Sequence, residues 1–216
     1  MSSLQLSEKL EITQKSAWFL LQRIRKACED DNNPSIDLLR GIAEADETYI
    51  GGKEKNKHAS QKRRERRAGR PAPKIPVFGI RQRNGSLKAQ VLPDTTRSTI
   101  QAAVRAALQP GSILCTDEHP AYKGMPEYYH HHVSHSAKQY VDGPYHTNGI
   151  ESVWAVLKRS YVGIHHWFSP KHMQLYINEL SFRFKSGRRK IPIAQRMNSL
   201  IAMCFGKRLT YAQLIA

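Results

Sequence analysis

Ile42-Ala-Glu-Ala-Asp46-Glu-Thr-Tyr-Ile50-Gly-Gly52 alternates apolar and polar positions, favours β-forming residues and stops on two glycines. That pattern predicts a strand over Ile42 to Ile50 that carries Asp46 and ends at a glycine turn. A carboxylate inside an apolar strand is costly unless something pairs with it. Asp46 is therefore either an edge residue turned to solvent or one member of a charged site.

Downstream, Pro76 to Arg83 and Ser86 to Leu92 read as two strands joined by Asn84-Gly85, a strong hairpin signal, so three antiparallel strands open the domain. Asp94-Thr95-Thr96 can cap a helix from Arg97 to Leu108, with Ile100, Val104 and Leu108 on one face and Pro110-Gly111 closing it. Ser112 to Thr116 is a short apolar strand ending on Asp117. A polar stretch through His130 to His135 follows, and Asn148 then opens a long helix whose Ile150, Trp154, Leu157 and Tyr161 share a stripe. This order predicts an α/β fold with a ribonuclease H-like mixed sheet flanked by helices.

Upstream, residues 1–28 read as a small helix-turn-helix segment. Leu4, Leu6 and Leu10 are apolar on a first helix, Glu11-Ile12 turns, and Thr13 caps a second helix carrying Ala17, Trp18, Leu21 and Ile24. Gln14, Lys15 and Ser16 would meet base edges, while Gln22, Arg23, Arg25 and Lys26 would meet phosphates. A plain helical hairpin fits the same pattern. Residues 29–41 form a linker and 42–185 the ribonuclease H-like domain, interrupted by a basic loop, 53–74. Residues 186–216 form a basic helical tail. The loop holds Arg63, Arg64, Arg66 and Arg67 among its cations and almost nothing apolar, which suits a solvated segment that folds onto a phosphate backbone.

The whole chain points to a polyanion. Across 216 residues, 34 Lys plus Arg outweigh 18 Asp plus Glu, a net charge of +16 that favours nucleic acid as partner. No run of eighteen apolar residues argues for a membrane. Cys28, Cys115 and Cys204 are odd in number and lack CxxC spacing, which predicts neither a disulfide framework nor a zinc ribbon and suits a reducing, cytoplasmic setting.

In so basic a chain, the acids that fall at strand ends and helix starts carry the interest. Asp46 and Asp117, on strands lying side by side, would face each other, and Glu151 would join them from the first turn of the long helix. Oxygen donors of this kind suit Mg²⁺ or Mn²⁺. Each has a plainer reading. Asn148-Gly-Ile-Glu151 is also a capping-box spacing, and Asp117 also fits the start of a turn. Three blocks tip the balance: Asp46-Glu-Thr-Tyr-Ile-Gly-Gly-Lys53, Thr116-Asp-Glu-His-Pro-Ala-Tyr122 and His146-Thr-Asn-Gly-Ile-Glu-Ser-Val-Trp154. They resemble the signature blocks of the ISXO-like insertion-sequence transposases, over about 30 to 185.

The resemblance implies a DNA transposase of the DDE type. Asp46, Asp117 and Glu151 would be its catalytic, metal-holding triad, with Asn148 a rival third ligand and two Mg²⁺ or Mn²⁺ ions as cofactors. Lys158, seven residues after Glu151, would hold DNA with its neighbour Arg159. The partner implied is double-stranded DNA, bound by a homodimer or larger assembly at the nucleoid. The zinc ribbon usual before the family's helix-turn-helix is missing, which reads as a shortened member. A metal-dependent nuclease or resolvase of the same fold, and a non-catalytic inhibitor occupying element ends, are the alternatives. His146 and His119 lie near the triad in sequence and would orient water or phosphate, or simply hydrogen-bond. Consecutive histidines on a strand point to opposite faces, so the His130 to His135 cluster is a poor zinc site. Trp167, Phe168 and Tyr176 read as core or interface residues rather than base-stacking ones.

Overall fold

The computed structural model describes residues 1–29, 37–51, 74–83, 85–133, 144–185 and 191–216. Most of the linker, the basic stretch 53–73 with Arg63, Arg64, Arg66 and Arg67, Asn84 and His135 lie outside them.

β1 (Ile42–Gly51) is the middle strand of a five-stranded mixed sheet. β2 (Lys74–Gln82) pairs with it antiparallel, and β3 (Leu87–Val91) pairs antiparallel with β2. On its other side β1 pairs in parallel with β4 (Ile113–Thr116), which pairs in parallel with β5 (Tyr129–His132). The order is β3-β2-β1-β4-β5. Asp46 thus stands on a central strand, and the edge-strand alternative falls.

Because strand side chains alternate, β1 serves two cores. Ala43 and Ala45, with Phe78 and Ile80 of β2, pack under α3 (Arg97–Ala107) through Ile100 and Val104. Ile50, Val77, Leu87 and Ala89 pack on the other face under α4 (Asn148–Ser160) and α5 (Met173–Phe184). The predicted stripe of Ile150, Trp154, Leu157 and Tyr161 lies wholly in this second core. Full burial of a single Ile or Leu contributes roughly 1.5–3 kcal/mol, so truncating Ile150 or Leu157 would loosen α4 directly.

α1 (Ser3–Leu10) and α2 (Gln14–Ala27) meet at a turn in which Glu11 adopts φ 52°, and Thr13 caps α2 by accepting from the Ser16 amide. Gln14, Lys15 and Ser16 are exposed. Gln22 and Arg25, expected on phosphates, are instead buried against α5. The Arg25 Nε lies 2.8 Å from Glu179 and its guanidinium 4.0 Å from the Tyr176 ring centre, while Gln22 Nε2 donates to the Tyr176 hydroxyl at 3.3 Å. A buried arginine needs a carboxylate, and α5 supplies one. Lys26 pairs with Glu29, whereas Arg23 stays exposed.

The carboxyl-terminal segment forms α6 (Ile193–Cys204) and α7 (Tyr211–Ile215). Ile193, Met197, Ile201 and Phe205 recur at four-residue spacing and are all exposed. No helix among the described residues is long and apolar enough to cross a membrane.

Candidate active site

β1 and β4 run in parallel with Glu44 level with Cys115. Continuing that register two residues brings Asp46 level with Asp117, the residue just past the end of β4. The expected meeting of the two aspartates therefore follows from the sheet. Their charges repel, and with burial as the larger cause, followed by Asp117 and then Glu47, the Asp46 carboxyl is pushed up to about 7.

Asp46 belongs to the face of β1 covered by α4, and the Trp154 indole Nε1 donates to its Oδ2 at 2.9 Å. The ring reaches that position because Gly79, paired across from Asp46 on β2, has no side chain; a Cβ there would lie 2.5 Å from the Trp154 ring. Glu47 points the opposite way and accepts a hydrogen bond from the Tyr122 hydroxyl. Burial, and beyond it the charge of Asp117, pushes Glu47 up to about 7 despite that bond. Burial and the adjoining carboxylates raise the Tyr122 hydroxyl well above the usual phenol range. Three acids thus crowd the ends of β1 and β4, and among the described residues no Lys or Arg forms an ion pair with any of them.

Asp117 starts a turn, its Oδ1 accepting from the His119 amide at 3.0 Å. The His119 Nδ1 in turn accepts from the Ala121 amide at 3.3 Å, which is the plain hydrogen-bonding role.

The third acid stands differently. Glu151 is exposed on the first turn of α4, one turn before Trp154, and its Oε1 accepts from the Thr147 hydroxyl at 3.0 Å. Thr147, not Asn148, occupies the cap position, and no side-chain cap bond forms from it. Among the described residues no three Asp, Glu, His or Cys side chains are gathered closely enough to hold a metal ion. Asp46 and Asp117 interact, then, while Glu151 stands exposed on the first turn of α4, the helix whose Trp154 covers Asp46. Lys158 and Arg159 are exposed in the last turn of α4.

What caps α4 is Glu44, a residue that the sequence reading passed over. Its Oε2 accepts from the Ile150 amide at 3.0 Å, satisfying one of the helix's orphan donors from across the core. Its Oε1 lies 3.3 Å from Arg83 Nη2 and 3.4 Å from His146 Nδ1. Arg83 also donates to the carbonyls of Pro144 and His146, and Arg81 Nη1 donates to the Gly149 carbonyl at 2.7 Å. Gly149 leaves room for this network: a Cβ there would sit 2.5 Å from Glu44 Oε2. The available signal was parity, since Glu44 lies two residues before Asp46 on the same strand face.

Around the site, β5 does present its histidines alternately. His130 Nε2 lies 2.9 Å from the Thr116 hydroxyl, whereas the His131 ring stacks on Tyr145 at 3.7 Å. Phe168 is buried and stacks on Tyr176, as a core assignment requires, but Trp167 is 46% exposed.

Residues 38–185 match the ISXO2-like transposase domain. The match covers more than half of the chain, from just before β1 to just after α5, and the chain belongs to the ISXO2-like transposase family. The chain is also similar to an uncharacterized transposase-like protein of Haemophilus influenzae, 26% identical over 106 residues that span 48% of this chain and 85% of that protein.

Proposed function

We propose that this protein is a DNA transposase that nicks insertion-sequence ends and joins the freed 3′-hydroxyl to target DNA, on a ribonuclease H-like domain fed by an amino-terminal helix-turn-helix. The observation that carries the reading is that Asp46 on β1 and Asp117 just past the end of β4 stand level, with no Lys or Arg ion-paired to either among the described residues. Hard divalent ions suit such oxygen donors, and the crowded carboxylates are the groups that Mg²⁺ or Mn²⁺ would stabilise. Two ions bound there would supply a lowered pKa to the attacking water or hydroxyl and positive charge to the leaving 3′-oxygen.

The chain's own residues do the rest. Asp46 and Asp117 hold the metal side of the site, with the Trp154 indole fixing one oxygen of Asp46. Glu151 is the third ligand, and Asn148, three residues earlier, is its rival. Glu44, Arg81 and Arg83 orient the segment that carries both. Lys158 and Arg159, on exposed positions of the same helix, hold the phosphodiester backbone, with Lys15, Arg23 and the arginines of the basic loop adding sequence-independent affinity. The working form is a cytoplasmic, nucleoid-associated homodimer or larger assembly on double-stranded DNA, and the unpaired apolar row of α6 supports an assembly.

Asp46→Asn, Asp117→Asn and Glu151→Gln are each expected to abolish Mg²⁺- or Mn²⁺-dependent nicking of element-end DNA while leaving binding intact. Cleavage retained by Glu151→Gln and lost by Asn148→Ala would move the third ligand to Asn148. Normal cleavage by both aspartate variants would overturn the mechanism. Strand-transfer products distinguish a transposase from a nuclease of the same fold.

A further inference from the structure

Away from the acids lies a concave site of another kind. A cavity of about 320 Å³ opens between the start of α1, α2 and the segment that follows α4. That volume falls within the range of small-ligand clefts. Its aromatic walls are Trp18 and Trp167, joined by His165 and His166, with Ser3 and Gln14 at the polar rim. No acidic side chain lines it among the described residues. Arg25, which also borders it, is already neutralised by Glu179.

The backbone that builds this wall is unusual. α4 runs into a π-helical turn, Tyr161–His165, and His166 then adopts a left-handed φ of 58°. Single π turns cost helix regularity, and a non-glycine residue at positive φ is strained, so both recur where a side chain must be aimed. Here they turn the chain so that Trp167 stands with 46% of its surface open instead of joining Phe168 in the core. Burial first, and the Arg25 charge next, push the His165 imidazole down to about 4, so that wall is a neutral ring at physiological pH.

We infer that this cavity receives one unpaired nucleobase of the DNA, stacked on Trp167, at the end of a strand that follows the exposed cations of α4. The inference rests on the DNA-processing reading above. An aromatic slot with neutral hydrogen-bonding edges and no acids matches a base, which offers a π-face and polar edges but no charge. Its position matches too: Lys158 and Arg159 lie in the last turn of α4, immediately before the π turn that leads into the slot. A strand held by those two residues has the cavity next in its path.

The test compares two DNAs of one sequence, a blunt duplex and a forked duplex with unpaired terminal nucleotides, titrated against the full chain by anisotropy and tryptophan fluorescence. Two of the three tryptophans border the cavity, while Trp154 is buried against Asp46, so quenching reports on the slot. Forked DNA is expected to quench and blunt DNA not. Trp167→Ala is expected to weaken forked-DNA binding by about 10- to 100-fold and leave blunt-DNA binding unchanged, with Trp167→Phe recovering most of the loss. Unchanged forked-DNA binding by Trp167→Ala, or equal losses on both DNAs, would overturn the cavity assignment alone. No binding of either DNA by the unaltered chain would overturn it together with the reading on which it rests.

Discussion

Glu44 and Asp46 leave the same face of β1 two residues apart, yet the protein treats them oppositely. Glu44 is given Arg83, the nearby His146 and the Ile150 amide, a set that satisfies both its oxygens. Asp46 is given the Trp154 indole N–H, the Glu47 backbone amide and two neighbouring acids, and its carboxyl rises to about 7. A buried carboxylate with its own cation is a fastener. One surrounded by other carboxylates is held at a cost, which makes sense where positive charge is to arrive from outside. The contrast teaches that burial alone does not tell whether an acid is neutralised within the fold, whereas its partners do.

The comparison is broken most severely by exchanging the fates of these residues. Asp46→Asn is expected to eliminate nicking yet raise the metal-free melting temperature by a few degrees, since the amide oxygen still accepts from Trp154 while the repulsion with Asp117 and Glu47 is gone. A lower melting temperature, by calorimetry, would show that Asp46 is a fastener like Glu44. Glu44→Ala is expected to do the reverse at the fold level. It strands Arg83 and one amide of α4, a loss of about 3 kcal/mol or more in urea unfolding, while Glu44→Gln keeps an acceptor for Ile150 and loses less.

Gly149→Ala sharpens the same point with a smaller effect. Its Cβ would press on Glu44 Oε2, so a loss of about 1–3 kcal/mol is expected, and it should shrink when combined with Glu44→Ala. Full additivity of the two changes would mean that the clash is not with Glu44. pH probes the same acids without any substitution. Asp46 and Glu47 have folded values near 7, raised from 3.8 and 4.5, so between about pH 4 and 7 the folded chain binds more protons than the unfolded one. The stability they contribute is present at acid pH and is lost as pH rises through 7. Metal-free melting temperature is expected to decline over that window, and Asp46→Asn to flatten the decline.

Much of this was legible in the sequence, because local pattern governs it. The strand read over Ile42 to Ile50 is β1 to within one residue, the hairpin partners fell in place, and the apolar stripe of α4 follows from helical period alone. Illegible were features that depend on what the fold brings together. Arg25 looked like a phosphate ligand because nothing nearby in sequence reveals Glu179, 154 residues away. Glu44 was passed over because its cap target, Ile150, lies 106 positions on. Trp167 and Phe168 are neighbours in sequence but part at the left-handed His166, a backbone turn that composition does not announce.

Gly79 and Trp154 fit closely beside Asp46. Their relation also bears on inheritance. A methyl group at position 79 would occupy the volume of the indole, so the two positions cannot drift independently: a descendant that gains a side chain on β2 must surrender the large ring on α4, and with it the N–H that fixes Asp46. Any lineage that keeps the tryptophan is therefore bound to keep the glycine.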